Sequence, residues 1–389
     1  MQGAWARGQV RILRAGAALP QNRPMARGNP LGAWARLVGR NLALIKRTVK
    51  QAGRVAKVQA AQAGKLAKAA AKTRAVAAGQ VAKKAPAQAR PAAAAAGPGR
   101  SSSGVALGPA GARRFTVFRP AGIGRSERLP LLVMLHGCQQ NAAGFALCTR
   151  MNAVATRERF IVLYPDQDKL ANAQGCWNWF STRHGRAAGE AALILQAISQ
   201  VCLLHPVDSA RIAVAGLSAG ASMAALLASL HPQRFKAVVM HSGIPPGTAD
   251  SGLSALGAMR GRRRTRPLDA SAEAMASDWP ALLVIHGSAD SVVDPANGQA
   301  AVQAWADAAG ARASAPRLVQ RGQRYPVHIT DYRCQGRTVA TLALVQGLGH
   351  AWSGGAAGQP FADARGPDAS RMVWAFALRQ FGQFGQPVA

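Results

Sequence analysis

The chain has 389 residues, 49% of them hydrophobic, with 41 glycines and five cysteines. That length and apolar fraction suit one large α/β domain with an appendage, or two ordinary domains, and five scattered cysteines without a C-x-x-C pair exclude a disulfide scaffold. The formal charge of +32 is uneven: residues 1–100 hold 20 of the 48 Lys and Arg and none of the 16 Asp and Glu, the first acidic residue being Glu127.

In chain order, residues 1–32 have no hydrophobic period and read as disordered. Arginines at 7, 11 and 14 interrupt any apolar core of an export signal, although Met25 offers a second possible start. Residues 33–83 change character. Trp34, Leu37, Val38, Leu42, Ile45 and Val49 recur at three- and four-residue steps between Arg and Lys, the pattern of a basic amphipathic helix. Its expected partner is an anionic lipid or polymer-granule surface. Nucleic acid is the weaker reading, because no aromatic interleaving accompanies the charge. Residues 84–112 are rich in Pro, Ala, Gly and Ser and read as a linker, placing a catalytic domain at 113–389. No run of 18 apolar residues exists, so no transmembrane span is expected. The location expected is cytoplasmic and granule-associated, with an extracellular one as the alternative.

From residue 113 short apolar runs alternate with helical patterns. Strands are expected at 114–119, 131–135, 160–164, 211–215, 235–240, 281–285 and 338–345, and helices at 142–157, 186–204, 221–229 and 368–381. Such alternation implies an α/β fold with a mainly parallel sheet covered on both faces.

The run Arg211 to Ser229 carries the sharpest signal. Gly216-Leu217-Ser218-Ala219-Gly220 is Gly-x-Ser-x-Gly between an apolar strand and a small-residue helix. In that context the motif means a nucleophile elbow, with the serine lifted to a helix N-terminus. Fold order then asks for an acid and a histidine downstream, at strand ends. The strand ALLVI runs into His286-Gly287-Ser288-Ala289-Asp290, and Thr338–Val345 runs into Gly347-Leu348-Gly349-His350. Asp290 is therefore the expected acid, with Asp294 as its rival, and His350 the expected base. Pro295 suits Asp294 better to a helix start. The strand LPLLVML ends in His136-Gly137-Cys138-Gln139-Gln140, where the fold supplies its second oxyanion donor. The expected donors are the backbone N–H of Ala219 and that of Cys138 or Gln139. His241 and His286 read as structural groups at strand ends.

These stretches together resemble the polyhydroxybutyrate depolymerase family of esterases. The resemblance spans about residues 113–380 through LHGCQQNAAGFA, TRMNAVA, FIVLYPDQ, CWNWF, VDSARIAVAGLSAGASMAALLA, HSGIP, HGSADSVVDPANG and GHAWSGG. It implies the α/β-hydrolase fold, a Ser218–His350–Asp290 triad and hydrolysis of poly(3-hydroxybutyrate) or related short-chain hydroxyalkanoates, without metal or organic cofactor. It further implies that His136, Trp177, Trp179 and Trp352 contact the substrate, and makes a Cys138–Cys176 bridge a hypothesis. Feruloyl and acetylxylan esterases share parts of the pattern. A non-catalytic granule- or nucleoid-binding protein is the remaining alternative.

Overall fold

The runs LPLLVML, IVLYP, AVVMH and ALLVIHG are apolar and β-branched or leucine-rich, and each becomes a strand buried along its whole length. The computed structural model describes residues 99–268 and 279–383. The segment 1–32, the basic segment 33–83 and most of the linker 84–112 lie outside the described residues.

The elements run β1 (Arg100–Gly108), β2 (Gly111–Arg119), β3 (Leu129–Leu135), α1 (Ala142–Thr149), α2 (Met151–Glu158), β4 (Ile161–Pro165), α3 (Arg186–Leu204), β5 (Val207–Leu217) and α4 (Ala219–Leu230). They continue as β6 (Ala237–His241), α5 (Gly252–Met259), β7 (Ala281–Gly287), α6 (Ala296–Ala308), β8 (Arg312–Ala313), β9 (Arg317–Val319), β10 (Val327–Cys334), β11 (Arg337–Val345) and, last, α7 (Ala369–Gln383). One sheet takes the order β1-β2-β4-β3-β5-β6-β7-β11-β10-β8, with β9 also on β10. From β4 across to β11 every pairing is parallel, and both margins are antiparallel. Helices α3, α4 and α6 cover one face around Ile194, Leu227 and Trp305. The other face packs Phe145, Met151 and Trp374 of α1, α2 and α7.

Two expectations are corrected here. The end of the expected linker is a strand: β1 pairs with β2 from Arg100↔Arg119 to Gly108↔Gly111. Its serines and glycines hid it, because an edge strand needs few apolar residues; only Ala106 is buried, and Gly104 is kept bare by the Phe115 ring across the hairpin. The single helix expected over 142–157 is two. Arg150, at φ 53°, ends α1 and starts α2, and its guanidinium donates to the Gly354 carbonyl at 2.7 Å. Helix α3 is long and apolar enough to cross a membrane by length and composition. It buries Ala187, Ala191, Ile194 and Ile198 in the domain core instead.

Candidate active site

Parallel order brings the ends of β3, β5, β6, β7 and β11 to one edge of the sheet. At the end of β5 the chain reverses into α4 through Ser218, whose backbone sits at φ 57°, ψ −122°. A non-glycine residue pays for that conformation, so neighbours must enforce it. Ser218 N–H donates to the His241 carbonyl at 2.8 Å, and Ser222 N–H donates to the Ser218 carbonyl at 3.0 Å. A Cβ on Gly216 would strike the Gly220 backbone, and one on Gly220 the carbonyls of Leu135 and His136. The glycines of the motif are thus fixed by close approach of three chain segments. Ser218 remains partly exposed.

Strands β7 and β11 lie in parallel register, His286 beside Leu344 and Gly287 beside Val345. Their following loops are zipped together: Ser288 N–H donates to Val345 O at 2.9 Å, and Ala289 N–H to Leu348 O at 3.1 Å. This carries Asp290 to His350, whose Nδ1 lies 2.8 Å from Asp290 Oδ2. The other carboxylate oxygen accepts from Val292 and Val293 N–H at 3.0 and 2.9 Å. Burial opposes the Asp290 charge, but hydrogen bonds from His286, His350 and the Val293 N–H outweigh it and hold the carboxyl below its ordinary value. With Asp290 ionised, Nδ1 of His350 carries the proton, which leaves Nε2 as the basic lone pair. The His350 side chain is 11% exposed and that of Asp290 is fully buried. The rival Asp294 instead accepts from Ala296 N–H at 2.9 Å, at the start of α6.

The loop after β3 is held from several sides. Gly137 N–H donates to Gln140 Oε1 at 2.9 Å, and Gln139 N–H donates to the Gln174 carbonyl at 2.8 Å. Gln139 is thereby used, which removes it as an oxyanion donor; the N–H groups of Cys138 and Ala219 make no hydrogen bond among the described residues. A disulfide joins Cys138 to Cys176, tying this loop to residues 172–178.

Four expected substrate contacts are corrected. His136, Trp177 and Trp352 are wholly buried and Trp179 is 7% exposed. Trp177 Nε1 donates to the His136 carbonyl at 3.0 Å, and Trp352 Nε1 to Ser370 Oγ at 3.0 Å. His136 donates through Nδ1 to Gly137 O and accepts at Nε2 from Gln167 N–H, at 2.8 and 3.0 Å. These side chains build the wall behind the site. Aromatic and histidine residues in glycine-bounded loops look alike in a sequence whether they face in or out. Beneath them lies a buried polar group that sequence reasoning missed. Glu190 accepts from Asn178 N–H at 2.9 Å and from Gln167 Nε2 at 2.8 Å, while Arg113 donates to Gln167 Oε1 and stands over the Trp177 ring. Only the unusual placing of Glu190 among the apolar positions of α3 hinted at it.

His241 is buried and links the two halves of the site. Its carbonyl holds Ser218, its Nε2 accepts from Ser353 N–H at 3.1 Å, and its ring stacks on Trp352.

A serine on a sharp strand-to-helix turn in a mostly parallel sheet, with an Asp–His pair on the same edge, defines the α/β-hydrolase fold. The chain belongs to the PHB depolymerase esterase family, whose profile, described as "Esterase PHB depolymerase", matches residues 114–318. It is 29% identical over 241 residues to poly(3-hydroxyalkanoate) depolymerase C of Paucimonas lemoignei, covering 60% of this chain and 58% of that protein. It is 26% identical over 195 residues to feruloyl esterase B of Neurospora crassa, covering 46% and 65%. The chain thus spans less than two thirds of the length of these relatives. Among solved structures, an acetyl xylan esterase from Aspergillus awamori shares the fold at a TM-score of 0.51 and 18% identity, over 71% of this chain and 99% of that one.

Proposed function

We propose that the protein is a serine carboxylester hydrolase using Ser218, His350 and Asp290, with hydroxyalkanoate polyester as substrate. The observation that carries the reading is the Asp290-oriented His350 on the same sheet edge as a partly exposed serine in a strained elbow. Nε2 of His350 takes the Ser218 proton as Oγ attacks the ester carbonyl carbon, and the oxyanion receives the N–H groups of Cys138 and Ala219. Collapse breaks the carbon–oxygen bond of the leaving alcohol, which takes the proton from His350. A water molecule, deprotonated by His350, then attacks the acyl-enzyme, and Ser218 leaves with that proton. Ser218→Ala should lower kcat on p-nitrophenyl butyrate by roughly 10⁴-fold or more with an unchanged circular dichroism spectrum. Turnover retained in the purified variant would overturn the assignment. Failure of a fluorophosphonate to label Ser218 would point instead to a non-catalytic binding protein.

The family and the similarity to a hydroxyalkanoate depolymerase over 60% of the chain support the polyester substrate. One observation favours a second reading, feruloyl or acetyl esters on polysaccharide. A groove of about 890 Å³ beside the oxyanion loop is lined by Gln140, Asn141, Asp166, Asp168 and Gln174, groups suited to sugar hydroxyls. Hydrolysis of amorphous polyhydroxybutyrate granules, measured beside feruloyl and acetyl esters, decides between them: soluble esters cleaved with granules untouched would remove the polyester. The disulfide favours an oxidising, extracellular location over the cytoplasm, where such bonds are rare. Blotting of culture medium and cell fractions tests it.

A further inference from the structure

On the face of the sheet covered by α7, that helix packs over β5, β6 and β7. Beside it, β7, β11 and β10 floor a cavity of about 700 Å³ with Leu283, Ala343, Val327 and Ile329, walled by Met372 and Ala375 of the helix. Ser218, Asp290 and His350 do not line it. Leu283, Val327 and Ala343 are themselves closely packed at 4% exposure or less, so the apolar surface open to the cavity is that of Ile329 with Met372 and Ala375 of the helix. The rim is almost wholly basic: six arginines against Asp331 and Asp368 leave an excess of four positive charges. Arg317 pairs with Asp331 at 2.6 Å and Arg371 with Asp368 at 3.5 Å. Arg150 and Arg324 donate to the carbonyls of Gly354 and Gly366 at 2.7 and 2.5 Å. Arg379 lies beside the Phe376 ring, and the exposed Arg321 guanidinium has no partner among the described residues.

We propose that this cavity binds an apolar chain ending in a carboxylate. The apolar wall would hold methylene groups, while Arg321, and Arg379 from over the Phe376 ring, would meet the anionic end in the fork geometry that guanidinium offers a carboxylate. The volume falls within the range of small-molecule sites. Residues 1–100 of the chain carry no acidic group that could pair with this rim. Nucleic acid would need successive aromatic stacking platforms or a long phosphate track, and the cavity offers one ring, Tyr325, already covered by Arg365. Two sources share the chemistry: a free fatty acid, and a short hydroxyacid oligomer. Only the second rests on the esterase reading.

The full chain labelled with ¹³C-methyl methionine tests the site, because Met372 is one of nine methionines and can be assigned through Met372→Leu. On titration with decanoate the Met372 methyl resonance should shift saturably with one-to-one stoichiometry. Arg321→Glu combined with Arg379→Glu, and decanol in place of decanoate, should each weaken binding at least tenfold. Ala375→Trp, which fills the cavity from an exposed helix position, should remove it while the thermal melt stays near that of the unaltered protein. A 3-hydroxybutyrate trimer that binds as tightly as decanoate identifies the oligomer source, and decanoate binding alone identifies the fatty acid. A stationary Met372 resonance, affinity unchanged by Ala375→Trp in folded protein, or equal binding of decanol overturns the proposal. None of these readouts depends on ester hydrolysis.

Discussion

Around the candidate triad stand two buried imidazoles, His136 and His241, whose value lies in staying neutral. His241 is the clearer. Burial, and then the neighbouring His286 and His350, push its pKa down to about 3, against an ordinary value near 6.5. In the native protein it is neutral from about pH 3 upward, whereas in the unfolded chain it binds a proton below about 6.5. The unfolded state therefore holds more protons between those limits, and stability must fall as pH falls through that window. At pH 5 the loss from this residue alone is about 2 kcal/mol. His136, depressed by burial as well, adds loss of the same sign. Asp290 works lower: its carboxyl is held below its ordinary value, so its contribution is present above about pH 4 and lost only on further acidification. Urea unfolding at pH 7.5 and pH 5 should accordingly show a large difference in the native protein. In His241→Gln the pH-dependent difference should shrink by about 2 kcal/mol; a difference of undiminished size would remove His241 as its source. The variant also loses the link from the Ser218 strand to Ser353, so its absolute stability should be lower at both pH values.

At the level of elements, the loop after β3 is the part whose form depends on a covalent tie. The bond between Cys138 and Cys176 closes a sequence separation of 38 residues; by chain entropy such a loop contributes about 4 kcal/mol. Thiol titration of denatured, unreduced protein should count three groups, Cys148, Cys202 and Cys334, and a count of five would exclude the bond. Cys138→Ser with Cys176→Ser should then lower stability by up to about 4 kcal/mol. The sequence was most legible where one physical rule decides. Strands buried on both faces read as unbroken apolar runs, and α3 occupies the residues expected of it, 186–204. The elbow and the Asp–His pairing followed from chain order and strand ends. Legibility failed where tertiary contact decides. Nothing in Thr149-Arg150-Met151 signals a helix break, since the carbonyl of Gly354 that receives the arginine is more than 200 residues away. Trp177 and Trp352 gave no sign of facing inward, because the groups that receive their indole N–H, His136 and Ser370, become neighbours only in the fold.

On the scale of the whole molecule, the boundary of the α/β-hydrolase-fold domain decides how the basic segment can be studied. A boundary near residue 110, expected from composition, would cut through the β1–β2 hairpin. Strand β1 lies along β2 over nine residues of each, its Ala106 is buried in the core cluster that includes Ala191 and Ile194 of α3, and Gly108 lies against Leu193. Removing it takes away a full ladder of backbone hydrogen bonds and lays bare the edge of β2, a row of unpaired N–H and C=O groups with Phe115, Val117 and Phe118 beside them. A chain beginning at residue 113 should therefore melt well below one beginning at residue 98 and should aggregate on warming, as scanning calorimetry and light scattering would register. Equal melting would mean that β1 is dispensable. Only the longer truncation then isolates the contribution of residues 1–97. If that basic region anchors the enzyme on anionic granules, the chain beginning at 98 should keep its rate on p-nitrophenyl butyrate and lose binding to granules at low salt. Because contacts of this kind weaken as ionic strength rises, full-length protein should lose the same binding at high salt; granule binding by the shorter chain that equals the full-length protein at every salt concentration would place the anchor within residues 98–389.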